Sequence, residues 1–230
     1  MSTAPVKKAF GINWYTGTGC KQRVIDAARR EKHRVVLGWT HPALGSRCYG
    51  SCQDLQTLLM NVPNCEVTDD NQHGFPDLEG LYHTTLDEQL YPPYFDCEWV
   101  TETELAYPWV SLDGILANIT AAMWHMFGVT LTQNDFCIAT ASGKSGGTFK
   151  NSFHVLIRPA SGPGIGLTKA QMKEFWETCL KPKYTVQRPS DPDKSHNIID
   201  PAVYGHQFDF RAIYQSKPGG KRPLLPLTAH

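Results

Sequence analysis

The sequence predicts an α+β fold, and three observations lead there. Runs with strand periodicity and runs with a helical apolar stripe are both present, and they do not alternate strictly as a doubly wound parallel sheet requires. Apolar residues make up 41% and aromatic residues 11% of the 230 positions, which suits a folded chain with a sizeable core. No internal repeat, low-complexity tract or long block of like charge interrupts the pattern.

In chain order, Lys21, Arg23, Arg29, Arg30, Lys32 and Arg34 surround Val24, Ile25, Ala27 and Ala28, which predicts a basic amphipathic helix running into the strand Val35–Trp39. Ser51 reads as the cap of a second helix, because Leu55, Leu58 and Leu59 fall on one face. The polar stretch 64–80 reads as a loop. Residues 94–100 alternate: Phe95, Cys97 and Trp99 point one way while Asp96 and Glu98 point the other, since strand side chains repeat every two residues. A helix is predicted over 111–127, with Ser111 as N-cap and Leu112, Ile115, Leu116, Ile119, Met123 and Met126 as its apolar stripe. A strand near 135–141, a Gly/Ser-rich turn at 142–148 and a strand at 151–158 form a hairpin-like pair. Thr168 opens another helix with Gln171 in capping-box register and with Met172, Phe175, Trp176 and Cys179 on the buried side. Residues 181–195, with three prolines and several charges, read as a linker loop, and Phe210 and Ile213 predict a last strand that holds Arg211.

Composition narrows the function classes. With 22 basic and 22 acidic side chains the net charge is zero, so any contact with nucleic acid must come from local patches. The longest apolar runs fall far short of a bilayer span, and the N-terminus lacks the apolar region of a signal peptide, so no membrane partner and no secretion are expected. Seven cysteines, an odd number, do not make a disulfide framework and point to a reducing intracellular compartment: cytoplasm, nucleus or a viral replication factory. Cys48 and Cys52, followed by Cys65 and His73, lack the two tight ligand pairs of a zinc site, so no structural zinc is expected. Gly143-Lys144-Ser145 is not a Walker A motif, because the required earlier glycine is replaced by Ile138; a hairpin tip is the expectation there.

Three groups of residues carry chemistry. Asp96 and Glu98 share one strand face, and two carboxylates cannot be buried there unpaired. Taken alone they read more readily as surface polarity, but with Asp200 they make the minimum carboxylate set for two divalent ions about 4 Å apart. Such oxygen ligands suit the hard ions Mg²⁺ and Mn²⁺. Lys150, Ser152 and His154 repeat the two-residue spacing and form a ladder of donors for triphosphate oxygens. A Ser-His nucleophile is the weaker reading, because side chains two apart on one strand rarely adopt that geometry. Arg211 supplies a planar fork for phosphate and Lys217 a mobile point charge.

The order Asp96-Cys97-Glu98, Ser152-Phe153-His154, then Asp200 followed by Arg211 through Ser216-Lys217 resembles the archaeo-eukaryotic primase superfamily, most closely its primase-polymerase and viral primase-helicase branches. The likeness is strongest over 94–100, 150–157 and 199–217, and looser at Arg47-Cys48-Tyr49 and Leu81-Tyr82-His83. It implies a catalytic core with an RNA-recognition-like antiparallel sheet over 91–230 and a smaller α/β module over 1–90. It further implies template-directed nucleotidyl transfer, as DNA primase or polymerase, with two Mg²⁺ or Mn²⁺ ions on Asp96, Glu98 and Asp200. Ser152, His154, Arg211 and Lys217, with Lys150, would hold the nucleoside triphosphate. The implied partners are primed or single-stranded DNA and a helicase or zinc-binding priming domain in this chain or another. Family members often continue past the point where this chain stops, so it reads as a catalytic piece better suited to primer extension than to priming. The rival expectation is a non-catalytic module that binds single-stranded nucleic acid through exposed aromatics and a basic groove.

Overall fold

In the computed structural model, residues 5, 7–9, 11–40, 45–54, 56, 80–101, 110–145, 147–159, 164–188, 191–218 and 222–227 are described. The chain divides into two units, residues 1–85 with 209–224, and residues 86–208 with 225–230. Both contain helices and antiparallel strands, so the fold is α+β.

In the first unit, the predicted basic helix is α1, Cys20–Glu31, which buries Cys20, Val24, Ile25 and Ala28 along one side. Arg29 and Arg30 lie in its last turn, where their charge complements the negative end of the helix dipole. The strands β3 (Val35–Thr40), β4 (Arg47–Cys52), β5 (Leu81–Thr84) and β12 (Asp209–Arg211) form an antiparallel sheet in the order β12-β5-β3-β4. Alternation sends Val35, Leu37 and Trp39, with Cys48, Cys52 and Leu81, to one face. That face packs with Ile12 and Trp14 of β2 (Ile12–Trp14), which pairs with β1 (Lys7–Ala9). The rings of Trp14 and Trp39 meet edge to face, 5.3 Å apart.

Two expectations change here. Ser51 does not cap a helix: it lies in β4 opposite Val36, where the backbone is committed to the ladder and the hydroxyl meets His33 Nδ1 at 3.0 Å. Leu55, Leu58 and Leu59 lie outside the described residues, as do Cys65 and His73. Cys48 and Cys52 are core residues, and burial pushes both thiols up, that of Cys52 to about 11.

The second unit is built on a five-stranded antiparallel sheet. Its strands are β6 (Tyr94–Thr101), β7 (Phe136–Thr140), β8 (Gly143–Ser145), β9 (Thr148–Ile157) and β13 (Leu225–Pro226), in the order β13-β7-β9-β6 with β8 beside β9. The predicted turn is tighter than expected, since β9 already begins at Thr148 and Gly147 takes a positive φ of 89°. Helix α2, Leu112–Phe127, starts at Ser111, whose hydroxyl accepts from the Gly114 N–H. Helix α3, Lys169–Phe175, starts at Thr168 with the Gln171 capping box and continues through a π-helical turn, Trp176–Leu180, into α4, Lys181–Tyr184. Phe175 is 6.0 Å from Phe95 and stacks on Phe127 at 5.7 Å, so α2 and α3 meet on the apolar side of β6.

Residues 181–195 are not a linker. After α4 they form a hairpin of β10 (Thr185–Arg188) and β11 (Asp191–Asn197). A two-stranded ribbon consists only of edges, so Pro192 does not interrupt an interior ladder. The last predicted strand also ends early: Ile213 lies in a turn, 48% exposed, beyond β12. Among the described residues no helix is long and apolar enough to cross a membrane.

Candidate functional site

On the second sheet, pairing register decides which polar side chains meet. In β6 and β9, Asp96 lies opposite His154, Glu98 opposite Ser152 and Val100 opposite Lys150. Residues directly opposite share a face, with Cβ atoms about 4.5–5.5 Å apart. The other side of β6 is paired by the segment after β11: the Glu98 N–H donates to Ile198 O at 2.7 Å and the Asp200 N–H to Asp96 O at 2.8 Å, around a bridge between Cys97 and Ile199. Asp200 therefore stands opposite Asp96, so His154, Asp96 and Asp200 form a row across β9, β6 and the segment after β11. Glu98, Ser152 and Lys150 lie on the same face.

The side chains have distinct partners within this array. His154 Nε2 is 3.9 Å from Asp96 Oδ1, and Lys150 Nζ is 2.5 Å from Glu98 Oε1. Asp200 Oδ1 accepts from the Ala202 N–H at 2.9 Å and thereby caps a 3₁₀ helix, Pro201–Tyr204. Ser152 and His154 are buried, whereas Asp96, Glu98, Lys150 and Asp200 are half-buried. Behind the row, burial and then the neighbouring Asp96 charge push the Cys97 thiol far up, so it stays protonated. Ser152 is held by its own backbone, whose N–H donates to Ser142 Oγ at 2.9 Å, while the Ala141 N–H donates to Ser152 O.

Three carboxylates on neighbouring backbone positions are an oxygen-only donor set, which fits a hard divalent ion. As oriented, Glu98 turns to Lys150 and Asp200 to the Ala202 N–H, and among the described residues no group of three His, Cys, Asp or Glu side chains is arranged to hold a metal.

Arg211 and Lys217 belong to the first unit. Arg211 is 8% exposed on β12 and donates to Arg222 O at 3.4 Å, while Lys217 is exposed. Nearby in that unit is a cluster that sequence reasoning missed. Asp209 accepts from Lys21 Nζ at 2.8 Å, Thr84 Oγ1 at 2.7 Å and the Tyr49 hydroxyl at 3.2 Å, with Arg47 Nη1 at 3.9 Å. Burial first, and then the Asp209 charge, raise the Tyr49 phenol to about 12. The Arg47 guanidinium lies over the Tyr82 ring, 3.9 Å from its centre. The available signal was alternation, since Asp209 stands two residues before Arg211 and shares its face.

No protein-family model matches this chain, and no curated protein sequence matches it.

Proposed function

We propose that this chain is a template-directed nucleotidyl transferase, a DNA primase or polymerase that joins a 3′-hydroxyl to an incoming nucleoside triphosphate. The observation that carries the reading is the row His154–Asp96–Asp200, with Glu98, Ser152 and Lys150 beside it. Carboxylates from remote parts of a chain on one face, next to phosphate-type donors, have little use in a module that only grips an anionic strand.

Asp96, Glu98 and Asp200 would hold Mg²⁺ or Mn²⁺, which when bound stabilises charge on the transferring phosphoryl group and on the attacking oxygen. The Ser152 hydroxyl, the His154 ring and the Lys150 ammonium donate to phosphate oxygens. Lys150 lies against Glu98, which keeps a phosphate-binding cation and a metal-binding anion on one face. Arg211 and Lys217 enter as further phosphate donors on the strength of the motif order alone. Primed or single-stranded DNA is the template, and a helicase or zinc-binding priming domain is the natural companion.

The test is primer extension with Mn²⁺, run beside thermal unfolding in the same metal series. Wild-type protein should extend a primer and gain stability, by about 2.7 kcal/mol at metal a hundredfold above Kd. Asp200→Asn keeps an N-cap acceptor for Ala202, so its metal-free fold should persist, while extension is lost and the metal-dependent gain shrinks. Full activity together with full metal stabilisation in that variant would show that the three carboxylates do not act together. Absence of extension by wild-type protein at every metal concentration turns the reading to a single-strand-binding module.

A further inference from the structure

Asp200 reaches the row on a segment that belongs to no sheet, so what fixes that segment fixes the third carboxylate. Upstream it is held by backbone bonds to β6 and by the Trp176 indole, which donates to Ile199 O at 3.0 Å. Downstream, the Tyr94 hydroxyl donates to Val203 O at 3.1 Å and the Tyr204 hydroxyl to Tyr94 O at 2.9 Å, tying the 3₁₀ helix to β6.

The helix then ends at Gly205, and there a buried lysine takes over. Lys169, 3% exposed, donates to Gly205 O at 2.6 Å and to Asp87 Oδ1 at 2.7 Å. The other oxygen of Asp87 accepts from His206 Nδ1, and the Gln207 N–H approaches Oδ1 at 3.4 Å. Asp87 and Lys169 therefore close a tether around residues 205–207, immediately beyond the helix that Asp200 caps.

Lysine is an unfavourable choice for this position on local grounds. It is the first residue of α3, where the helix dipole repels a cation, and its ammonium is withdrawn from water. Stability alone would be served as well by an apolar side chain, since withdrawing the ammonium from water offsets much of what its pair with the exposed Asp87 returns. What an apolar side chain cannot do is hold the Gly205 carbonyl and the Asp87 carboxylate at once.

We propose that Lys169 is a positioning residue for the acidic row: with Asp87 and His206 it ties down the chain beyond Asp200, so that this carboxylate stays beside Asp96. The consequence for catalysis rests on the nucleotidyl-transfer reading; the tether itself does not.

The experiment uses the whole chain with Lys169→Met and Asp87→Asn, and has two arms. In the first, hydrogen exchange without metal is followed at the Asp200 and Ala202 amides, which donate to Asp96 O and to the Asp200 carboxylate. Both should exchange about tenfold faster in Lys169→Met, as loss of a bond to a charged group implies, while amides between β6 and β9 keep their rates. Asp87→Asn, which retains a carbonyl acceptor for Lys169, should fall between. In the second arm the Mn²⁺ concentration for half-maximal extension should rise about tenfold, with the KM for nucleotide nearly unchanged. A residue that merely stabilised the unit would lower the unfolding temperature and leave the metal requirement alone. Wild-type exchange rates at Asp200 in both variants overturn the tether. Accelerated exchange with an unmoved metal requirement overturns its role in the site. If Lys169→Met does not fold, Asp87→Asn decides both arms. If wild-type protein neither extends a primer nor responds to Mn²⁺, nucleotidyl transfer fails, and the exchange arm still decides the tether.

Discussion

Asp209 gathers more donors than any residue singled out by motif, and its chemistry is local to the first unit. Lys21, Thr84 and Tyr49 donate to its two oxygens, and Arg47 stands at 3.9 Å. A carboxylate has about four acceptor positions, so this one is nearly saturated. Asp209→Asn keeps the shape, removes the charge and leaves one acceptor where there were two. Stability should fall by about 1.5–3 kcal/mol, read from the urea midpoint, because bonds to a charged group are the strong ones. The Tyr49 phenol should then ionise below its present value of about 12, since the Asp209 charge ranks next after burial in raising it. An unmoved Tyr49 titration by phenolate absorbance would show that Asp209 does not face that hydroxyl. His154 differs in kind: it is buried on the same face as the three acids, so replacing it probes the row, whereas replacing Asp209 probes the first sheet.

At the scale of elements, β2 crosses β4 so closely that one residue must lack a side chain. A Cβ at Gly50 would stand 2.5 Å from Ile12 Cγ2 and 2.9 Å from the backbone oxygen of Asn13. The methyl group can turn aside but the carbonyl cannot, so Gly50→Ala should cost about 1–3 kcal/mol by forcing β2 off the sheet. A variant with unchanged thermal stability would mean that β2 does not lie over β4. The elements legible in the sequence carried a local signal. Alternation wrote β6, and caps with apolar stripes wrote α2 and α3. The strands β10, β11 and β13 carried none, because a polar proline-containing ribbon and a strand of two residues leave no periodicity to read, whereas β12 was expected from Phe210 but ends before Ile213. The site divides in the same way. That Asp96 and Glu98 share a face, and likewise Ser152 and His154, follows from spacing alone. That Asp96 stands between His154 and Asp200 follows from register and from a single bridge at Ile199, which residues far apart in sequence do not announce. Lys169 gave no signal, since at the first turn of a capped helix it reads as an ordinary surface cation.

Across the whole molecule, neither unit is continuous in sequence. The chain leaves the first unit after residue 85, returns for 209–224 and ends in the second, so a fragment of residues 1–85 would lack β12 and the Asp209 that Lys21, Tyr49 and Thr84 address. Both units also carry tyrosines whose ionisation opposes the fold. Burial, ahead of other causes, raises Tyr49 in the first unit and Tyr91 in the second from the ordinary 10 to about 12, and Tyr184 and Tyr204 move the same way. A phenol raised in the folded state contributes stability that is fully present below pH 10. That contribution is lost as pH rises from about 10 to about 12, because the unfolded chain releases its proton first. Urea unfolding should therefore give a free energy insensitive to these groups near neutral pH and falling steeply above pH 10, by at most about 1.4 kcal/mol per pH unit for each tyrosine. At the acid end, burial works against ionisation of Asp87, but its bonds from Lys169 and His206 together outweigh burial and hold it at about 2. Its contribution is complete above pH 3.8 and disappears as pH falls through 2. Tyr91→Phe gives the alkaline limb a clean control. The hydroxyl accepts from the Leu86 N–H at 2.8 Å and donates to Gln89 at 2.6 Å, so the variant should be less stable at pH 8 but lose stability more slowly above pH 10. Parallel curves for the two proteins between pH 10 and 12 would mean that Tyr91 ionises as readily in the folded chain as in the unfolded one.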